Sequence, residues 1–380
     1  MKKSKLLFIS IILLLIFIIA ILFILNFVKA KQKYSNLKKV APYLYEITYN
    51  DYTKDDALET INDQEAFGCS SVRNGNFYGR NFDYIFNDVP EFIVKVKATK
   101  TRHASIGVAN HMGLRESKID SGEYDKQLEL IPNATLDGIN DSGVICSINV
   151  VPLEDVEPVT GTNPNGENLH MLFIPRFVLD NASSADEAIE LLKSKNIYGD
   201  LKGKYYLHAM IADENKTYIV EFINNKVVAK EKKGNEQIMT NYYNNIEDYT
   251  EHSSGIERYN ILKNYYDEAS TFDGMWNLLK RVRFSNVYRY DNKQEFYSEM
   301  ATQSLIKNQN SNEWKNMLNQ LNQIKNNYWI TIADNLRSQD NILFWHTTHN
   351  STYDIKNRKL RITIQEDYNN YYEYYLKDVK

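Results

Sequence analysis

The first apolar feature of this chain is a long uncharged run close to its start. Leu6 to Val28 carries no charged residue and consists almost entirely of Leu, Ile, Phe and Val. About 20 apolar residues suffice to cross the hydrocarbon core, so residues 6–28 are predicted to form a transmembrane helix after a short basic N-terminus over residues 1–5. A long secretory signal is the alternative, since Val28-Lys29-Ala30 offers a weak small-residue cleavage site.

Beyond this run the pattern changes twice. Residues 29–68 show no clear apolar period, which predicts a linker or pro-segment. Short alternating runs then predict strands, and Cys69–Arg73 and Asn76–Asn81 flank Asn74-Gly75, a strong signal for a two-residue hairpin loop. Further strands are predicted at Glu91–Ala98, Ala104–Ala109, Asp137–Val151 with a turn at Asn140–Gly143, Tyr206–Ala212, Thr217–Phe222, Lys226–Lys230, Leu343–Thr348, Ser351–Asp354 and Leu360–Gln365.

Helical spacing marks four segments between and after these strands. They are Gly166–Leu179, Ser184–Lys195, Gly255–Tyr266 and Phe272–Val282. Ser183 or Ser184 lies where an N-cap is expected, directly before two acidic residues. Strands in two clusters with helices between them predict an α+β layered fold rather than alternating βαβ units.

Composition narrows the class of protein. The chain has 380 residues, 43% of them hydrophobic, which suits a globular protein with a sizeable core, here assigned to residues 69–380. The net charge of −4 comes without a basic stripe, so nucleic acid is not an expected partner. Two cysteines exclude a disulfide scaffold and a Cys-based zinc cluster, but leave open one disulfide or a reactive thiol beside a buried one.

The predicted hairpin concentrates reactive side chains. A loop at Asn74-Gly75 would place Cys69 opposite Arg80, with Asp83 just beyond the strand. A cationic neighbour lowers the pKa of a thiol, and an Arg–Asp pair would hold the guanidinium in place. From spacing alone, however, a lone cysteine at a strand start is more often a small buried residue than a nucleophile.

The local sequence strengthens the reactive interpretation. Cys69 in GCSSV, followed by YGRNFDY at Tyr78–Tyr84, resembles the start of the choloylglycine hydrolase superfamily, which includes bile salt hydrolases and penicillin V acylases. The resemblance continues in order over roughly residues 65–365. Its further motifs are Asp137-Gly138-Ile139-Asn140 with Gly143, Ser147–Pro152, Ile211–Glu221, Met239-Thr240-Asn241 and Ser253–Tyr259.

The resemblance implies a fold, a site and a reaction. The fold is the four-layer αββα sandwich of N-terminal-nucleophile hydrolases, and the reaction is hydrolysis of a linear non-peptide amide through a thioester, without a cofactor or metal. Cys69 would be the nucleophile, its freed α-amino group the general base, and the remaining site residues Arg80, Asp83, Asn149, Asn241 and Arg258. Asn149 and Asn241 would stabilise the oxyanion. An α-amino group with an ordinary pKa of about 7.7–8.0 suits proton transfer near neutral pH.

The internal position of Cys69 adds an expectation about maturation. A free α-amino group requires cleavage of the Gly68–Cys69 bond, and an acyl shift by the thiol itself is one route. Before processing, residues 6–28 would make this a single-pass membrane protein with its hydrolase domain outside the cytoplasm. Cleavage would then separate that domain from the anchor and leave its release possible.

Histidines and other classes of protein are the remaining alternatives. The seven histidines show no ligand motif such as HExxH and are expected to be structural or at the surface. A papain-like hydrolase would need a histidine beside Cys69 and no processing. An inactive membrane-anchored binding module would show no cleavage and would tolerate Cys69→Ser.

The acylated substrate and the oligomeric state stay open at this point. Only 16 residues separate Asn241 from Arg258. Bile salt hydrolases usually carry a longer loop there that helps form their tetramer, so neither bile salts nor that tetramer are expected. Penicillin V, N-acyl amino acids, N-acyl homoserine lactones and acyl transfer to another amine remain candidates.

Overall fold

The computed structural model describes two β-sheets, their covering helices and a few isolated positions near the start. The described residues are 14, 17–19, 21, 34–52, 68–85, 89–111, 114–122, 125–152, 159–199, 205–246, 255–283, 285–289 and 342–379. Most of the predicted transmembrane run lies outside them. Among the residues that are described, no helix has the length and apolar character needed to cross a bilayer.

Sheet A has nine strands and carries the start of the described chain at one edge. In spatial order its strands are β1 (Tyr34–Ala41), β2 (Leu44–Tyr49), β5 (Glu91–Val96), β6 (Ser105–Asn110), β7 (Thr135–Asn140), β8 (Ile145–Pro152), β11 (Tyr205–Ala212), β12 (Thr217–Ile223) and β13 (Lys226–Glu231). Strands β2 and β5 pair in parallel, and the other neighbours are antiparallel.

Sheet B carries the predicted hairpin. Its spatial order is β14 (Ile238–Met239), β3 (Gly68–Asn74), β4 (Phe77–Ile85), β16 (Ile342–Asp354), β17 (Lys359–Ile364) and β18 (Tyr372–Tyr375), and β15 (Ser285–Arg289) also pairs with β16. A separate parallel pair joins β9 (Asn168–His170) to β10 (Asn196–Tyr198).

Helices cover the outer faces of both sheets. The α-helices are α1 (Glu116–Asp120), α2 (Asp125–Leu128), α3 (Ile174–Asn181), α4 (Ala185–Ser194), α5 (Ile256–Asn264) and α6 (Phe272–Arg281), and the 3₁₀ helices are Ile131–Ala134, Met171–Phe173, Gly234–Glu236, Tyr266–Ser270 and Leu376–Asp378. Helix α3 packs on β7 and β8 of sheet A, and α6 packs on β4 and β16 of sheet B. Ser184 caps α4 as predicted, accepting a hydrogen bond from the Glu187 amide at 3.1 Å.

The two sheets face each other across a shared core. Tyr78, Tyr353 and Ile362 of sheet B pack in one buried cluster with Ile145 and Met210 of sheet A. Alternate side chains of each strand therefore point inward, as the period of two in the sequence predicted. The layers run helix, sheet, sheet, helix, which confirms the predicted mixed α/β sandwich.

The predicted linker contains strands that the sequence pattern missed. Strands β1 and β2 lie within residues 29–68, and Leu44, Ile47 and Tyr49 are fully buried. Their signal is weak because no residue of the edge strand β1 is fully buried and nearly every residue of β2 is buried, so neither strand alternates between buried and exposed positions. The linker or pro-segment predicted over residues 29–68 therefore includes two strands of sheet A.

Two other element boundaries also differ from the predictions. The single helix expected at Gly166–Leu179 is divided into β9, a 3₁₀ turn and α3, which begins at Ile174 with a proline in its first turn. The two C-terminal strands expected at Leu343–Thr348 and Ser351–Asp354 form one long strand, β16.

Candidate active site

The β3–β4 hairpin turns one residue later than the sequence predicted. Asn74 pairs with Phe77, so Gly75 and Asn76 form the loop. Only Gly75 of these two has a positive φ, at 58°, as in a type II′ turn, which favours glycine at its first central position. Cys69 therefore pairs with Phe82, and the predicted pairing of Cys69 with Arg80 was wrong.

The guanidinium nevertheless reaches the thiol. Moving a turn by one residue changes each cross-strand partner by two, and a shift of two keeps the side chain on the same face. Arg80 thus lies diagonally across from Cys69, and its Nη2 atom donates to Sγ at 3.7 Å. The predicted contact between Arg80 and Cys69 is therefore present, because a shift of two residues leaves both side chains on the same face of the sheet.

Each polar atom of Cys69 has a partner from the predicted site. Its backbone nitrogen donates to Oδ1 of Asn241 at 2.9 Å, and its carbonyl accepts from Nη1 of Arg258 at 2.9 Å. The residue is only 1% exposed, and this burial raises the pKa of the thiol to about 11 although the Arg80 charge opposes the rise. The expected lowering of the thiol pKa is therefore overridden in the uncleaved chain.

Arg258 connects Asp83 to Asn241. From the first turn of α5 it donates to Oδ2 of Asp83 at 2.9 Å and to Oδ1 of Asn241 at 2.5 Å. Gly255 permits this approach, since a Cβ there would lie 3.0 Å from Nη2 of Arg258 and φ is +85°. Burial raises the pKa of Asp83 to about 6 despite the ion pair with Arg258 and a hydrogen bond from Thr347.

Asn149 and Asn241 fasten two neighbouring segments together. Nδ2 of Asn149, on β8, donates to the carbonyls of Met239 at 3.1 Å and Thr240 at 3.3 Å. Nδ2 of Asn241 donates in return to the carbonyl of Val150 at 2.9 Å. Asn149 in this arrangement holds the segment that carries Asn241, while the Asn241 amide oxygen faces the nitrogen of Cys69.

Two further buried side chains, His208 and Glu221, support the segment that carries Asn241, a role that the sequence patterns did not predict. His208 contacts the carbonyl of Thr240 through Nε2 at 2.9 Å. The fully buried Glu221 accepts hydrogen bonds from the backbone nitrogens of Asn244 at 2.6 Å and Asn245 at 2.9 Å. Glu221 closes the family motif at Ile211–Glu221, so the motif held the signal, although its role required the tertiary contact.

Asp137 is the main site residue that sequence reasoning left without a role. Nη1 of Arg80 donates to Oδ2 of Asp137 at 2.9 Å, and Ser351 and Tyr353 donate to Oδ1 at 2.7 and 2.5 Å. Burial by itself would raise the pKa of Asp137, but His349 and Arg80 lower it to about 2. Asp137 thus fixes one side of the guanidinium whose other side contacts the thiol.

The remaining alternatives can be placed against this geometry. Cys69 and Cys146 are both free, so the arithmetically possible disulfide is not formed. Burial raises the pKa of Cys146, which is inaccessible within β8. Among the described residues, no histidine is hydrogen-bonded to Sγ of Cys69, and no group of three His, Cys, Asp or Glu side chains is arranged to hold a metal.

Comparisons with known proteins bear on the family. The family model for acyl-coenzyme A:6-aminopenicillanic acid acyl-transferase matches residues 131–369, well over half of the chain. A mutant conjugated bile acid hydrolase from Clostridium perfringens aligns with 15% identity and a TM-score of 0.48, over 82% of this chain and 93% of its own. Penicillin V acylase from Agrobacterium tumefaciens aligns with 15% identity and a TM-score of 0.40, over 82% and 88%. No curated protein matches the sequence.

The layered sandwich and the family match place the chain in the choloylglycine hydrolase and penicillin acylase superfamily of N-terminal-nucleophile hydrolases. The family match is specific within that class, and the chain belongs to the acyl-coenzyme A:6-aminopenicillanic acid acyl-transferase family. This confirms the superfamily that the ordered motifs predicted. The matched residues include Asn149, Asn241 and Arg258 but begin after Cys69, Arg80 and Asp83, whose roles rest on their motif and on the geometry above.

Proposed function

We propose that this chain is a cysteine N-terminal-nucleophile hydrolase that cleaves a linear non-peptide amide bond through a thioester. The observation that carries the proposal is the environment of Cys69, whose thiol, nitrogen and carbonyl contact Arg80, Asn241 and Arg258 respectively. A buried structural cysteine has no need of two arginines and a side-chain amide as partners. An inactive binding module would equally have no use for this arrangement.

The proposed reaction follows from these contacts. The α-amino group of processed Cys69 takes the thiol proton, and Sγ attacks the carbonyl carbon of the substrate amide. The C–N bond breaks as the ammonium returns the proton to the leaving amine, which leaves an acyl thioester on Cys69. Water then attacks the thioester, and the acid and the free thiol are released. Asn241 and the Asn149 region would stabilise the oxyanion in both steps. This role requires amide donors that in the uncleaved chain are bonded to the carbonyls of Val150, Met239 and Thr240.

Activation requires cleavage before Cys69. In the intact chain its nitrogen is an amide that donates to Asn241, and an amide nitrogen cannot serve as a base. Cleavage of the Gly68–Cys69 bond would convert it to an amine with an ordinary pKa of about 7.7–8.0, placed against the same amide oxygen. Before cleavage, burial raises the pKa of the thiol to about 11, so little thiolate is present at neutral pH for attack on a separate substrate molecule.

The strands before Cys69 change what processing would release. Strand β2 pairs along its full length with β5, and Tyr45, Ile47 and Tyr49 pack with Phe92 and Val94 in one core cluster. We therefore propose that the segment before Cys69 stays bound after cleavage. If residues 6–28 anchor the precursor in the cell membrane, the processed hydrolase domain would remain at the membrane without a covalent link.

Retention of this segment gives a direct measurement. We expect two polypeptides, ending at Gly68 and beginning at Cys69, to co-purify under native conditions and to separate in denaturant. Size-exclusion chromatography with intact mass spectrometry of each peak would show this. Elution of the fragment that begins at Cys69 alone under native conditions would contradict the retention, although it would leave the amide hydrolase proposal intact.

Acyl transfer to an amine is the second candidate, favoured by the acyltransferase family match. The same thioester would then be attacked by an amine in place of water, with the proton of the incoming amine passing to the α-amino group of Cys69. Product analysis distinguishes the two reactions. Addition of 6-aminopenicillanic acid or another amine during turnover would divert acyl product from the free acid to a new amide.

The test uses the full chain, because β1 and β2 belong to the sheet. N-terminal sequencing should find Cys69 at the start of one fragment, and a panel of penicillin V, N-acyl amino acids and N-acyl homoserine lactones should reveal the amide cleaved. Cys69→Ala should abolish both self-processing and turnover. Cys146→Ala is the matched control and should retain both. Activity in uncleaved material, or in Cys69→Ala, would refute the proposed mechanism.

A further inference from the structure

Strand β16 contains a bulge that turns one histidine inward. Thr347 pairs with Asp83 and His349 with Phe82, so Thr348 is the extra residue opposite β4. Without the bulge, residues 347 and 349 would point to the same face of the sheet. With it, Thr347 donates to Asp83 on one face while His349 packs against the Phe82 ring on the other, at 5.2 Å between ring centroids.

The inward ring lies between two carboxylates. Nε2 of His349 is 3.0 Å from Oδ2 of Asp137, and Nδ1 is 3.3 Å from Oε1 of Glu91. All three side chains are fully buried. Asp137 accepts at Nε2, where Nη1 of Arg80 is also 3.2 Å away, and Glu91 lies at ion-pair distance from Nδ1 without the geometry of a hydrogen bond. Two carboxylates this close to the ring favour its doubly protonated form.

The charges of the buried cluster agree with this form. The charged members of the cluster are Arg80 on β4, Glu91 on β5, Asp137 on β7 and His349 on β16. Asn110 on β6 donates to Glu91, and the neutral Ser351 and Tyr353 donate to Asp137. Asp83 lies on the opposite face of β4. Two cations then balance two carboxylates, whereas a neutral His349 would leave a net negative charge in a region closed to water. Glu91 and Asp137 accordingly raise the pKa of His349, although burial opposes the rise.

We propose that His349 is a positioning residue for the thiol chemistry, acting through Asp137 on Arg80. This inference rests on the proposed role of Cys69. The imidazolium and the Arg80 guanidinium share Oδ2 of Asp137, and Nη1 of Arg80 is 3.2 Å from Nε2 of His349. The second positive charge partly neutralises Asp137 and leaves Nη2 of Arg80 directed at Sγ of Cys69. Loss of the His349 proton would strengthen the pull of Asp137 on Arg80 and weaken the positive field at the thiol.

Direct base catalysis by His349 does not fit the same contacts. Both ring nitrogens face carboxylates, and the thiol contacts Arg80. His349 can therefore change the reactivity of Cys69 only by altering the charge around Arg80. A purely structural role would change stability, but it would not change how thiol reactivity depends on pH.

His349→Gln separates charge from hydrogen bonding, because a glutamine amide can still donate to Asp137. Ser351→Ala is the matched control, since it removes a neutral donor from the same carboxylate. The rate of iodoacetamide labelling is measured from pH 6 to 10 on purified full-chain protein after self-processing, because the thiol pKa of about 11 in the uncleaved chain lies above this range. Peptide mass spectrometry separates the Cys69 adduct from that of Cys146. We expect His349→Gln to raise the labelling midpoint by about one pH unit, the low end of the effect of a nearby charge, and to slow labelling about tenfold below the midpoint.

Three outcomes decide the inference. A higher midpoint in His349→Gln with no change in Ser351→Ala supports it. Coincident midpoints for His349→Gln and the wild type, or an equal rise in Ser351→Ala, overturn it. If His349→Gln does not fold, ¹⁵N shifts of the wild-type His349 ring decide, and a neutral ring at pH 7 refutes the proposal. Failure of the proposed function would appear separately, as full amide turnover by Cys69→Ala.

Discussion

Replacing Asp137 with asparagine tests whether the charges around Arg80 are balanced as the structure indicates. The substitution keeps the shape of the side chain and removes one negative charge. Arg80 and His349 would then share only Glu91 as a counter-ion within the buried cluster. The ionised carboxylate of Asp137 accepts hydrogen bonds from four donors with its two oxygens. An asparagine amide has only one oxygen with which to accept from the same four donors.

The expected cost can be worked from the pKa of Asp137. Its carboxyl has an ordinary pKa of 3.8 and titrates at about 2 in the folded chain. A difference of roughly two pH units corresponds to about 2–3 kcal/mol of stability at neutral pH. Removal of one partner from a buried ion pair costs about 3–5 kcal/mol. We therefore expect Asp137→Asn to lower the free energy of unfolding by about 3 kcal/mol at pH 7.

The sign of the pH dependence follows from the lowered pKa. The folded state binds the Asp137 proton less tightly than the unfolded chain, so the stabilisation is complete above pH 3.8 and is lost as the pH falls through about 2. The stability gap between wild type and Asp137→Asn should therefore narrow over this interval. Urea unfolding followed by tryptophan fluorescence, at pH values from 7 down to 2.5, measures the gap.

Ser351→Ala provides the control for this experiment. It removes a neutral hydrogen bond to the same carboxylate, with an expected cost of about 1 kcal/mol and no comparable pH dependence. Equal stability of Asp137→Asn and wild type at pH 7 would show that the cluster is not held by charge. A gap that stays constant down to pH 2.5 would show that the cost arises from packing and not from ionisation.

Two further substitutions, Gly138→Ala and Arg258→Lys, test the packing and the electrostatics around the site, and Gly75→Asn is the control for the first. Gly138→Ala should lower the free energy of unfolding by about 1–3 kcal/mol, because its Cβ would lie 2.9 Å from the carbonyl oxygen of Ile106. Gly75→Asn should lower the free energy of unfolding by under about 1 kcal/mol, because a Cβ there has nothing within 4 Å and asparagine tolerates a positive φ. Equal losses of stability for the two glycine variants in urea unfolding would contradict the packing argument. Arg258→Lys should reduce kcat/KM for the identified amide by about tenfold or more, because an ammonium cannot bond both Asp83 and the Cys69 carbonyl as a guanidinium does. Unchanged turnover would count against a role for these two contacts.

Local sequence patterns predicted much of the architecture because they reflect backbone physics. The period of two around Cys69 and the glycine between two strands identified the hairpin, and Ser184 before two acidic residues identified the start of α4. Strands β1 and β2 left no comparable pattern. An edge strand buries little, so its residues are not constrained to alternate. Strand β2 is buried on both faces except at Glu46, so it shows no alternation either.

For the candidate site as well, sequence motifs identified the residues, whereas the fold decided their contacts. The ordered motifs named Cys69, Arg80, Asn241 and Arg258, and these four residues lie in contact, with Asn241 and Arg258 bonded to the backbone of Cys69. What the motifs could not show was which atom faces which, because the hairpin register depends on the turn and on packing against β16. The sign of the shift in thiol pKa also depended on the fold, since burial outweighed the neighbouring arginine.

By itself, the sequence predicted the layered fold and the superfamily, and it is the basis for proposing Cys69 as the nucleophile and cleavage before it. Only the tertiary structure decided that Asp137 and His349 stand behind Arg80 and that the segment before Cys69 belongs to sheet A. The reason is physical. Motifs and periodicity record constraints between residues close in sequence, whereas Arg80 and His349 are 269 positions apart and meet only because two sheets close over them.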